Sequence, residues 1–404
     1  MKPYLDRGAF YLTCGALLSI LFSIAVSQIL LALALAALLF SSDQIRLPPI
    51  KLPLALFMAG TVASLLASGH IQEGMPQIRK FYVFFILLVA YSTFRRISEV
   101  RAVVLLWAGI ATLSAARSFF QFWRIYQQAH ERHINFYDFY VGSRITGFVS
   151  HWMTFGGEEM IVLLLLAAYL FFSGYARWKT AGWLCAMILA CSMVLGFTRS
   201  IFLLGFPLGL LYLLWFWKKW LVAVVPAVVL IGFFFGPSAL RERINSVFEA
   251  HGEVDSNRHR AILRETGLVI IRAHPWLGIG PEQVKYQFDR WVPASALPLP
   301  VGYYGHLHNI YLQYGAERGL PTLVIFLWMI VKILWDFAMA LRRKLIDPEA
   351  RFVLHGAIAT ILAILAEGFA ENNLGDSEVL TLFLAVVAFG YIAKEGAAKR
   401  PSTA

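Results

Sequence analysis

Residues 8–40 read GAFYLTCGALLSILFSIAVSQILLALALAALLF, and none of these 33 residues carries a charged side chain. A helix crosses the hydrocarbon core of a bilayer with about 20 apolar residues, so this run is too long for a single span. It predicts two short membrane helices that separate near Ser27-Gln28. Residues 1–7 lead directly into the run. The run is not followed by a small-residue cleavage site and a soluble domain. We therefore expect the first helix to be retained and not removed as a signal peptide.

The composition of the whole chain agrees with a membrane protein. Of 404 residues, 59% are hydrophobic and 15% are charged, a balance far more apolar than that of soluble domains. Cys14, Cys185 and Cys191 all lie in apolar runs, where they are typical of small buried side chains and predict neither a disulfide framework nor a metal site. The formal net charge is +11, but basic residues recur at the ends of apolar runs, as membrane topology requires. We therefore expect no nucleic-acid partner.

Further apolar runs predict an all-α polytopic membrane protein with about twelve transmembrane helices. The additional runs lie at about 54–69, 79–94, 101–123, 155–173, 179–196, 200–217, 220–236, 318–341, 351–370 and 377–394. The chain then divides into residues 1–236 with the first nine helices, a large loop subdomain at 237–317 that contains amphipathic helices, and residues 318–404 with the last three helices and a tail.

The distribution of lysine and arginine predicts which loops face the cytoplasm. With a cytoplasmic N-terminus, every short loop assigned to the inside is basic, whereas the last outer turn, Glu371–Glu378, has no lysine or arginine. The positive-inside rule therefore predicts that both termini are cytoplasmic. Residues 124–154 and 237–317 then lie on the outer side of the membrane.

The outer loop at 237–317 contains one clear amphipathic helix. Asp255-Ser256-Asn257 is typical of a helix start, and His274-Pro275 is typical of a helix end. The apolar residues between them share one side of the helix, which we interpret as lying on the membrane: Ile262, Leu263, Val269 and Ile270. Trp276–Pro281 then predicts a turn. Eight basic side chains in the loop are balanced by eight carboxylates, so the loop is not a simple basic patch.

The segment His306–Leu320 concentrates polar side chains where this loop meets the next apolar run. His308 is a candidate general base, because an imidazole titrates near neutral pH, and His306 is too close in sequence to be excluded. Asn309 and Glu317 are candidates for orienting the base. The alternative for the segment is a helix start whose polar side chains cap unsatisfied N–H groups.

Two arginine positions indicate an anion site. Arg199 lies between two spans on the predicted outer side, where it is either an anion clamp or a side chain that reaches to lipid headgroups. Arg258 and its neighbours can add bidentate phosphate contacts. The alternative for Arg258 is a surface ladder of ion pairs with Glu265 and Arg272.

The sequence predicts no metal site and no cofactor. His306 and His308 could hold zinc, but no cysteine or His-Glu-x-x-His motif completes a site. An aspartate pair for magnesium is also missing, and the adjacent pair Glu158-Glu159 is explained by a helix cap. A diphosphate handled here would be neutralised by arginine.

Several sequence blocks together resemble the bacterial O-antigen ligase and O-antigen polymerase superfamily of integral-membrane glycosyltransferases, with O-antigen ligase as the nearest type. The resemblance covers about residues 140–380. The blocks are Arg144-Ile145-Thr146-Gly147-Phe148, Thr198-Arg199-Ser200, Ser256-Asn257-Arg258, the turn from His274-Pro275 to Gly280-Pro281, and His308-Asn309-Ile310-Tyr311-Leu312 ahead of Gly319.

The resemblance implies transfer of a glycan from undecaprenyl diphosphate to lipid A–core in lipopolysaccharide biosynthesis. The reaction would invert the anomeric carbon without a metal, on the periplasmic side of the bacterial inner membrane. His308 would be the base, and Arg199 and Arg258 would bind the diphosphate. Further substrate contacts are then expected among Arg79, Lys80, Arg144, Arg260, Arg264, His306, Asn309 and Glu317.

Other activities stay open at this level. A polymerase that joins repeat units and a protein O-oligosaccharyltransferase would share the same histidine and arginine chemistry, although the turn Glu371–Glu378 slightly favours a ligase. A transporter would need ionisable side chains deep in several spans. The predicted spans are almost free of charge at mid-depth, which argues against transport.

Overall fold

The computed structural model describes residues 2–41, 44–246, 256–343 and 347–396, and the regular elements in these ranges are all helical. The α-helices are α1 (Lys2–Ser19), α2 (Ile24–Leu39), α3 (Lys51–Ser68), α4 (Ile71–Arg79), α5 (Phe85–Thr93), α6 (Ile97–Glu131), α7 (Phe136–Gly142), α8 (Trp152–Phe172), α9 (Lys179–Leu195), α10 (Phe206–Trp217), α11 (Val224–Phe235), α12 (Ser238–Asn245), α13 (Ser256–Ala273), α14 (Gln283–Trp291), α15 (Ile310–Leu341), α16 (Pro348–Glu367) and α17 (Ser377–Gly396). Short 3-10 segments lie at Lys80–Phe84, Lys219–Ala223, Ala294–Ala296 and Asn373–Gly375, and a π-helical segment lies at Ser200–Gly205.

The predicted class of a polytopic helical membrane protein is confirmed, but the count of twelve spans is not. Within the described ranges, seven helices are long and apolar enough to cross a membrane, and an eighth is added if Lys219–Phe235 and α12, bent by 114°, form one span. The first apolar run breaks at residues 20–23 and not at Ser27-Gln28, because the Ser23 side chain accepts a hydrogen bond from the N–H of Val26 and caps α2.

Helix α8 lies in the centre of the bundle, where it packs against α16, α17 and α9. In the most apolar 18-residue stretch of α8, 94% of the residues are buried by protein, compared with 33% in the corresponding stretch of α3. The sequence interpretation of Glu158-Glu159 as a helix cap is wrong. His151 caps α8 through its Nδ1, which accepts from the N–H of Met153, and both glutamates are buried inside the helix.

Helix α13 has the predicted start at Ser256-Asn257 and ends before His274-Pro275, while Asp255 lies outside the described residues. Its apolar side does not serve as a membrane-facing surface, which corrects the sequence interpretation. The side chains of Ile262, Leu263 and Ile270 are buried in a second apolar cluster. This cluster is completed by residues from α14, α15 and the connecting loops: Ile279, Val284, Phe288, Ala296, Leu307 and Ala316.

The turn at 275–280 joins the unit formed by α13, α14 and their connecting loops to a break in α15. Gly319 in α15 has φ +81° and ψ 162°, so the helix is interrupted there. The turn fills the break, because the N–H of Gly280 donates to the Glu317 carbonyl (3.0 Å) and the N–H of Leu320 donates to the Pro275 carbonyl (2.7 Å). A Cβ at position 319 would lie 2.1 Å from the Trp276 oxygen, so only glycine fits. The division of the chain at residues 317 and 318 stays a prediction; α15 begins at Ile310 and is interrupted at Gly319.

Candidate functional site

His308 lies immediately before α15, where the chain turns from the outer loop into the helix. Its backbone has φ +44°, and its N–H donates to His306 Nδ1 at 3.2 Å. Asn309 is the N-cap of α15, and its Oδ1 accepts from the N–H of Leu312. This local turn directs the histidine toward the loop between α16 and α17.

Glu371, in the loop between α16 and α17, forms the closest polar contact of His308. His308 Nδ1 lies 2.9 Å from Glu371 Oε2, and Glu371 is only 4% exposed. Burial alone would raise the pKa of Glu371, but the hydrogen bond from His308 and the charges of His308, His306 and Arg260 hold it below its ordinary value. Glu371 is therefore a carboxylate, which can only accept. The proton of this hydrogen bond belongs to Nδ1 of His308, and in the neutral ring Nε2 carries the lone pair.

Other histidines surround this pair. The rings of His306 and His259 lie 4.1 and 5.6 Å from that of His308, measured between centroids. Burial, together with the charge of His308, lowers the pKa of His306 to about 4 and also lowers that of His259. His151 is held against Trp152, and burial lowers its pKa as well. These three imidazoles are neutral at pH 7.

A divalent metal is one ligand that part of this cluster can hold. The nearest donor atoms of His306, His308 and Glu371 all lie within 4.8 Å of one another. Two imidazoles and one carboxylate are also a ligand set of catalytic zinc. However, Nδ1 of His308 is engaged with Glu371 and Nδ1 of His306 accepts a backbone N–H, so each imidazole offers only Nε2. The expectation of a metal-free site stays a prediction.

Buried guanidinium groups lie on the α9–α12 side of the site. Arg199 follows α9, is 6% exposed, and donates through Nη1 to the carbonyl and to the hydroxyl of Ser246, the latter at 3.1 Å. Arg243 on α12 is equally buried and donates through Nε to the Phe197 carbonyl at 2.7 Å. The Asn257 side chain donates to the same Ser246 carbonyl. Both arginines are thus held by carbonyl and hydroxyl oxygens.

Arg144 and Arg260 belong to the same group of neighbouring positive charges. Burial is the main cause that lowers the pKa of Arg144 to about 9, and the neighbouring charges of Arg243, Arg199 and Arg260 contribute. We call these four residues, Arg144, Arg199, Arg243 and Arg260, the guanidinium cluster. Arg260 also lowers the pKa of Glu371, so the cluster adjoins the His308–Glu371 pair. An anion that entered the cluster would relieve the repulsion among four positive charges.

The remaining sequence candidates have other surroundings. Arg258 is exposed and donates through Nη2 to the Pro298 carbonyl at 3.1 Å, whereas Arg260 on the same helix joins the cluster. Arg79 and Arg264 are exposed. The Asn309 amide donates to the Phe369 carbonyl. Glu317 is buried beside the turn at 275–280, where its carbonyl accepts from the N–H of Gly280.

A polar cavity of about 300 Å³ opens next to Glu371 and His306. Amides, carboxylates and one amine line it, among them Gln77, Lys80, Glu282, Gln313, Asn372 and Asp376. Several are already oriented: Lys80 Nζ donates to the Gly375 carbonyl at 2.9 Å, and Gln77 donates to Glu282. Closely placed donors and acceptors of this kind suit a ligand rich in hydroxyl groups.

Sequence reasoning missed two residues of this site. The sequence places Glu371 in an acidic turn and Arg243 among several loop charges, and it singles out neither, whereas Lys80 is among the expected substrate contacts and lines the cavity. A loop carboxylate 63 positions after a histidine carries no local signal of contact. Arg243 alone had a usable signal, because it follows a span on the predicted outer side, as Arg199 does.

The helical bundle and this site together define a polytopic membrane protein with a cluster of buried arginines near a histidine–carboxylate pair. Residues 184–327, about a third of the chain, match the family Wzy_C, which is described as O-antigen ligase. This part of the chain is therefore similar to O-antigen ligases. The matched region includes Arg199, Arg243, Arg260 and His308, whereas Arg144 and Glu371 lie outside it. No curated protein matches the chain.

Proposed function

We propose that the protein is an O-antigen ligase that transfers a glycan from undecaprenyl diphosphate to lipid A–core. The observation that carries the proposal is the His308–Glu371 pair near the guanidinium cluster: one member of the cluster, Arg260, follows His259, whose ring lies 5.6 Å from that of His308. A base and an anion site side by side are what glycan transfer from a lipid diphosphate needs. The family match gives independent support for the class of reaction.

His308 acts as the general base on the acceptor. Its Nε2 takes the proton from an acceptor hydroxyl while Nδ1–H donates to Glu371, which orients the ring and stabilises the imidazolium that forms. The acceptor oxygen then attacks the anomeric carbon from the side opposite the diphosphate. A new C–O bond forms as the bond to the diphosphate oxygen breaks with its electron pair, so the configuration inverts.

The guanidinium cluster binds the leaving group. Charge develops on the diphosphate oxygen as the glycosidic bond breaks, and fixed cations in a buried site stabilise that charge without reorganising. Arg199 and Arg243 are held in place by Ser246 and Phe197 before any substrate arrives. Arg258, on the outer end of α13, is proposed as a peripheral contact to the same substrate.

The polar cavity next to Glu371 receives a sugar. Its amide and carboxylate groups can pair with sugar hydroxyls, and its position places that sugar beside the base. We assign it to the acceptor. Of its lining groups, Lys80 is the one cation against the carboxylates of Glu282, Glu371 and Asp376, which disfavours a phosphorylated acceptor sugar.

The proposed orientation follows from the basic loops. Both termini are cytoplasmic, and the site, with the loop 237–317, faces the periplasm across the bacterial inner membrane. No metal or cofactor takes part in the proposed reaction.

Reconstitution tests the function. Purified protein in liposomes with a glycan on undecaprenyl diphosphate and with lipid A–core should yield glycan on the lipid A anchor. The His308→Ala variant should lose at least 100-fold in rate while it inserts normally, since general base catalysis contributes about 10²–10⁴-fold. Growth of the glycan on the undecaprenyl anchor would instead identify a polymerase, and transfer to a protein would identify a protein O-oligosaccharyltransferase. Wild-type rates in His308→Ala would remove the base assignment.

A further inference from the structure

Tyr303 is an exposed aromatic residue that lines the polar cavity of the candidate site. It is 56% exposed, whereas the ring of the next residue, Tyr304, lies 4.7 Å from the rings of both His259 and Phe288, measured between centroids. Tyr304 thus packs into the protein, and its neighbour is left for the cavity. An aromatic side chain that lines a cavity and is not covered by protein offers an apolar surface to a ligand.

The position of the Tyr303 ring is fixed from three sides. His259 Nε2 lies 3.1 Å from the Tyr303 carbonyl oxygen and holds the backbone. The ring contacts that of His306 edge-on, with centroids 5.3 Å apart and planes at 66°. It also lies over Gly305, where a Cβ would overlap the tyrosine hydroxyl. A ligand that stacks on this ring therefore meets a surface that is already in place, and less side-chain freedom is lost on binding.

The ring is close to the proposed base. The His306 ring, which Tyr303 contacts, lies 4.1 Å from the ring of His308, measured between centroids. The same cavity offers the amides of Gln77 and Gln313 as hydrogen-bonding groups. A pyranose ring suits this combination, because its hydroxyl groups surround the ring edge while its faces carry C–H groups that can rest on an aromatic ring.

We propose that Tyr303 is the platform on which the acceptor sugar stacks, and that this sugar is an uncharged pyranose. The inference rests on the proposed function, since it names the group that the same cavity receives. One face of the sugar contacts the Tyr303 ring, and the hydroxyls on its edge pair with the amides of the cavity. No bond to Tyr303 is made or broken, so the residue contributes to binding and orientation of the acceptor.

Binding without turnover tests the platform. The probe is core oligosaccharide freed from lipid A, titrated against the full-length protein in nanodiscs and followed by saturation-transfer difference NMR. We expect Tyr303→Ala to raise the Kd at least tenfold. Tyr303→Phe should stay within threefold of wild type, because the ring and not the hydroxyl makes the contact. An unchanged Kd in Tyr303→Ala, or an equal rise in both variants, would overturn the proposal.

Tyr286 provides a matched control. It is also 56% exposed and lies in the same outer loop, on α14, but it is not among the residues that line the cavity. Tyr286→Ala should leave the Kd for the oligosaccharide within twofold of wild type. Since both substitutions remove the same side chain with the same exposure, a general folding defect would affect both variants. An equal rise of the Kd in the two alanine variants would contradict the assignment.

The charge of the sugar is tested by competition. Methyl glucopyranoside and its 6-phosphate are compared as competitors of the bound oligosaccharide in the same NMR measurement. The carboxylates in the cavity repel a phosphate, so the 6-phosphate should compete at least tenfold more weakly than the uncharged glycoside. Equal or stronger competition by the 6-phosphate would overturn the assignment of an uncharged sugar.

The proposed function and this inference can fail separately, because the binding measurement uses neither donor nor turnover. In the liposome assay, Tyr303→Ala should raise the KM for lipid A–core at least tenfold and leave the donor KM within twofold. If Tyr303→Ala weakens sugar binding but the glycan grows on the undecaprenyl anchor, the platform stands and the ligase assignment is wrong. If lipid A–core receives the glycan and both alanine variants bind the oligosaccharide equally, the ligase stands and the platform is wrong.

Discussion

A single hydrogen bond determines what His308 can do. Since Glu371 is a buried carboxylate held 2.9 Å from Nδ1, the imidazole is fixed in one tautomer and one orientation. Glu371 does not touch the reacting atoms in the proposed reaction, so it is a positioning residue. The buried side chain of Glu317, which the sequence offered for this role, bonds elsewhere in the fold.

We expect Glu371→Gln to lower kcat for glycan transfer by about 10²–10⁴-fold, because an amide no longer fixes the tautomer or stabilises the imidazolium. The KM for the donor should change less than threefold, since the guanidinium cluster is intact. Glu317→Gln is the comparison variant and should retain kcat within about tenfold. Equal losses in the two variants, or a loss confined to KM, would contradict a positioning role for Glu371.

His306 makes the stability of the fold depend on pH. Its pKa is about 4 in the folded protein and about 6.5 in an unfolded chain, so the unfolded chain binds more protons between these values. Stability is complete above pH 6.5 and falls as the pH drops toward 4, by about 3 kcal/mol from this residue. In thermal unfolding of the detergent-solubilised protein, His306→Gln should flatten the decline in Tm over this window. The exposed His133 serves as control, and a His133→Gln variant that flattened the curve equally would count against the assignment.

Helix α12 carries two arginines, one buried and one exposed. Arg243 is buried in the guanidinium cluster, whereas Arg241 is exposed two residues earlier. We expect Arg243→Ala to raise the donor KM by about 30-fold or more, equivalent to about 2 kcal/mol, because a buried charge that binds the substrate is lost. Arg241→Ala should leave KM within twofold. Donor titrations in the liposome assay measure both, and a similar KM in the two variants would exclude Arg243 from the donor site. A normal Tm for Arg243→Ala separates binding from folding.

The periodicity of apolar residues and the helix-breaking residues predicted most of the helices, but they did not predict what every helix packs against. The ends of α13 at Ser256 and Ala273 were predictable because a cap and a proline mark them locally. What the apolar side of α13 packs against was not predictable, because a protein interior and a lipid environment both favour leucine and isoleucine. The predicted break between α1 and α2 was misplaced for a related reason. Ser23 and Ser27 are equally plausible N-caps in the sequence, and only the packed structure selects Ser23.

At the scale of the whole molecule, the class was predictable and the site only in part. His308 and Arg199 were singled out by being polar at the ends of apolar runs. Their partners Glu371 and Arg243 come from distant parts of the chain, and nothing in a single sequence encodes that proximity. The count of twelve spans is not confirmed, because within the described residues seven helices are long and apolar enough to cross a bilayer, while α2 and α9 are shorter apolar helices.

The proposed reaction needs no metal, although three possible ligands lie together. We expect the purified, reconstituted enzyme to keep its full rate in excess EDTA. The reason is that the guanidinium cluster supplies the positive charge that a metal would otherwise provide on the leaving group. The measurement is the transfer rate before and after chelation. A loss of activity that only added zinc or another divalent ion restores would assign the metal role to His306, His308 and Glu371.

The interrupted α15 has a mechanical consequence. Because the turn at 275–280 is hydrogen-bonded into α15 around Gly319, the segment that follows His308 is anchored to this turn. The segment from Leu320 onward packs against other membrane helices instead, since Phe326 contacts Phe57 of α3 and Phe337 contacts Tyr391 of α17. A tilt of that segment about the joint would leave His308 in place, so the proposed chemistry would be insulated from deformation of the bundle.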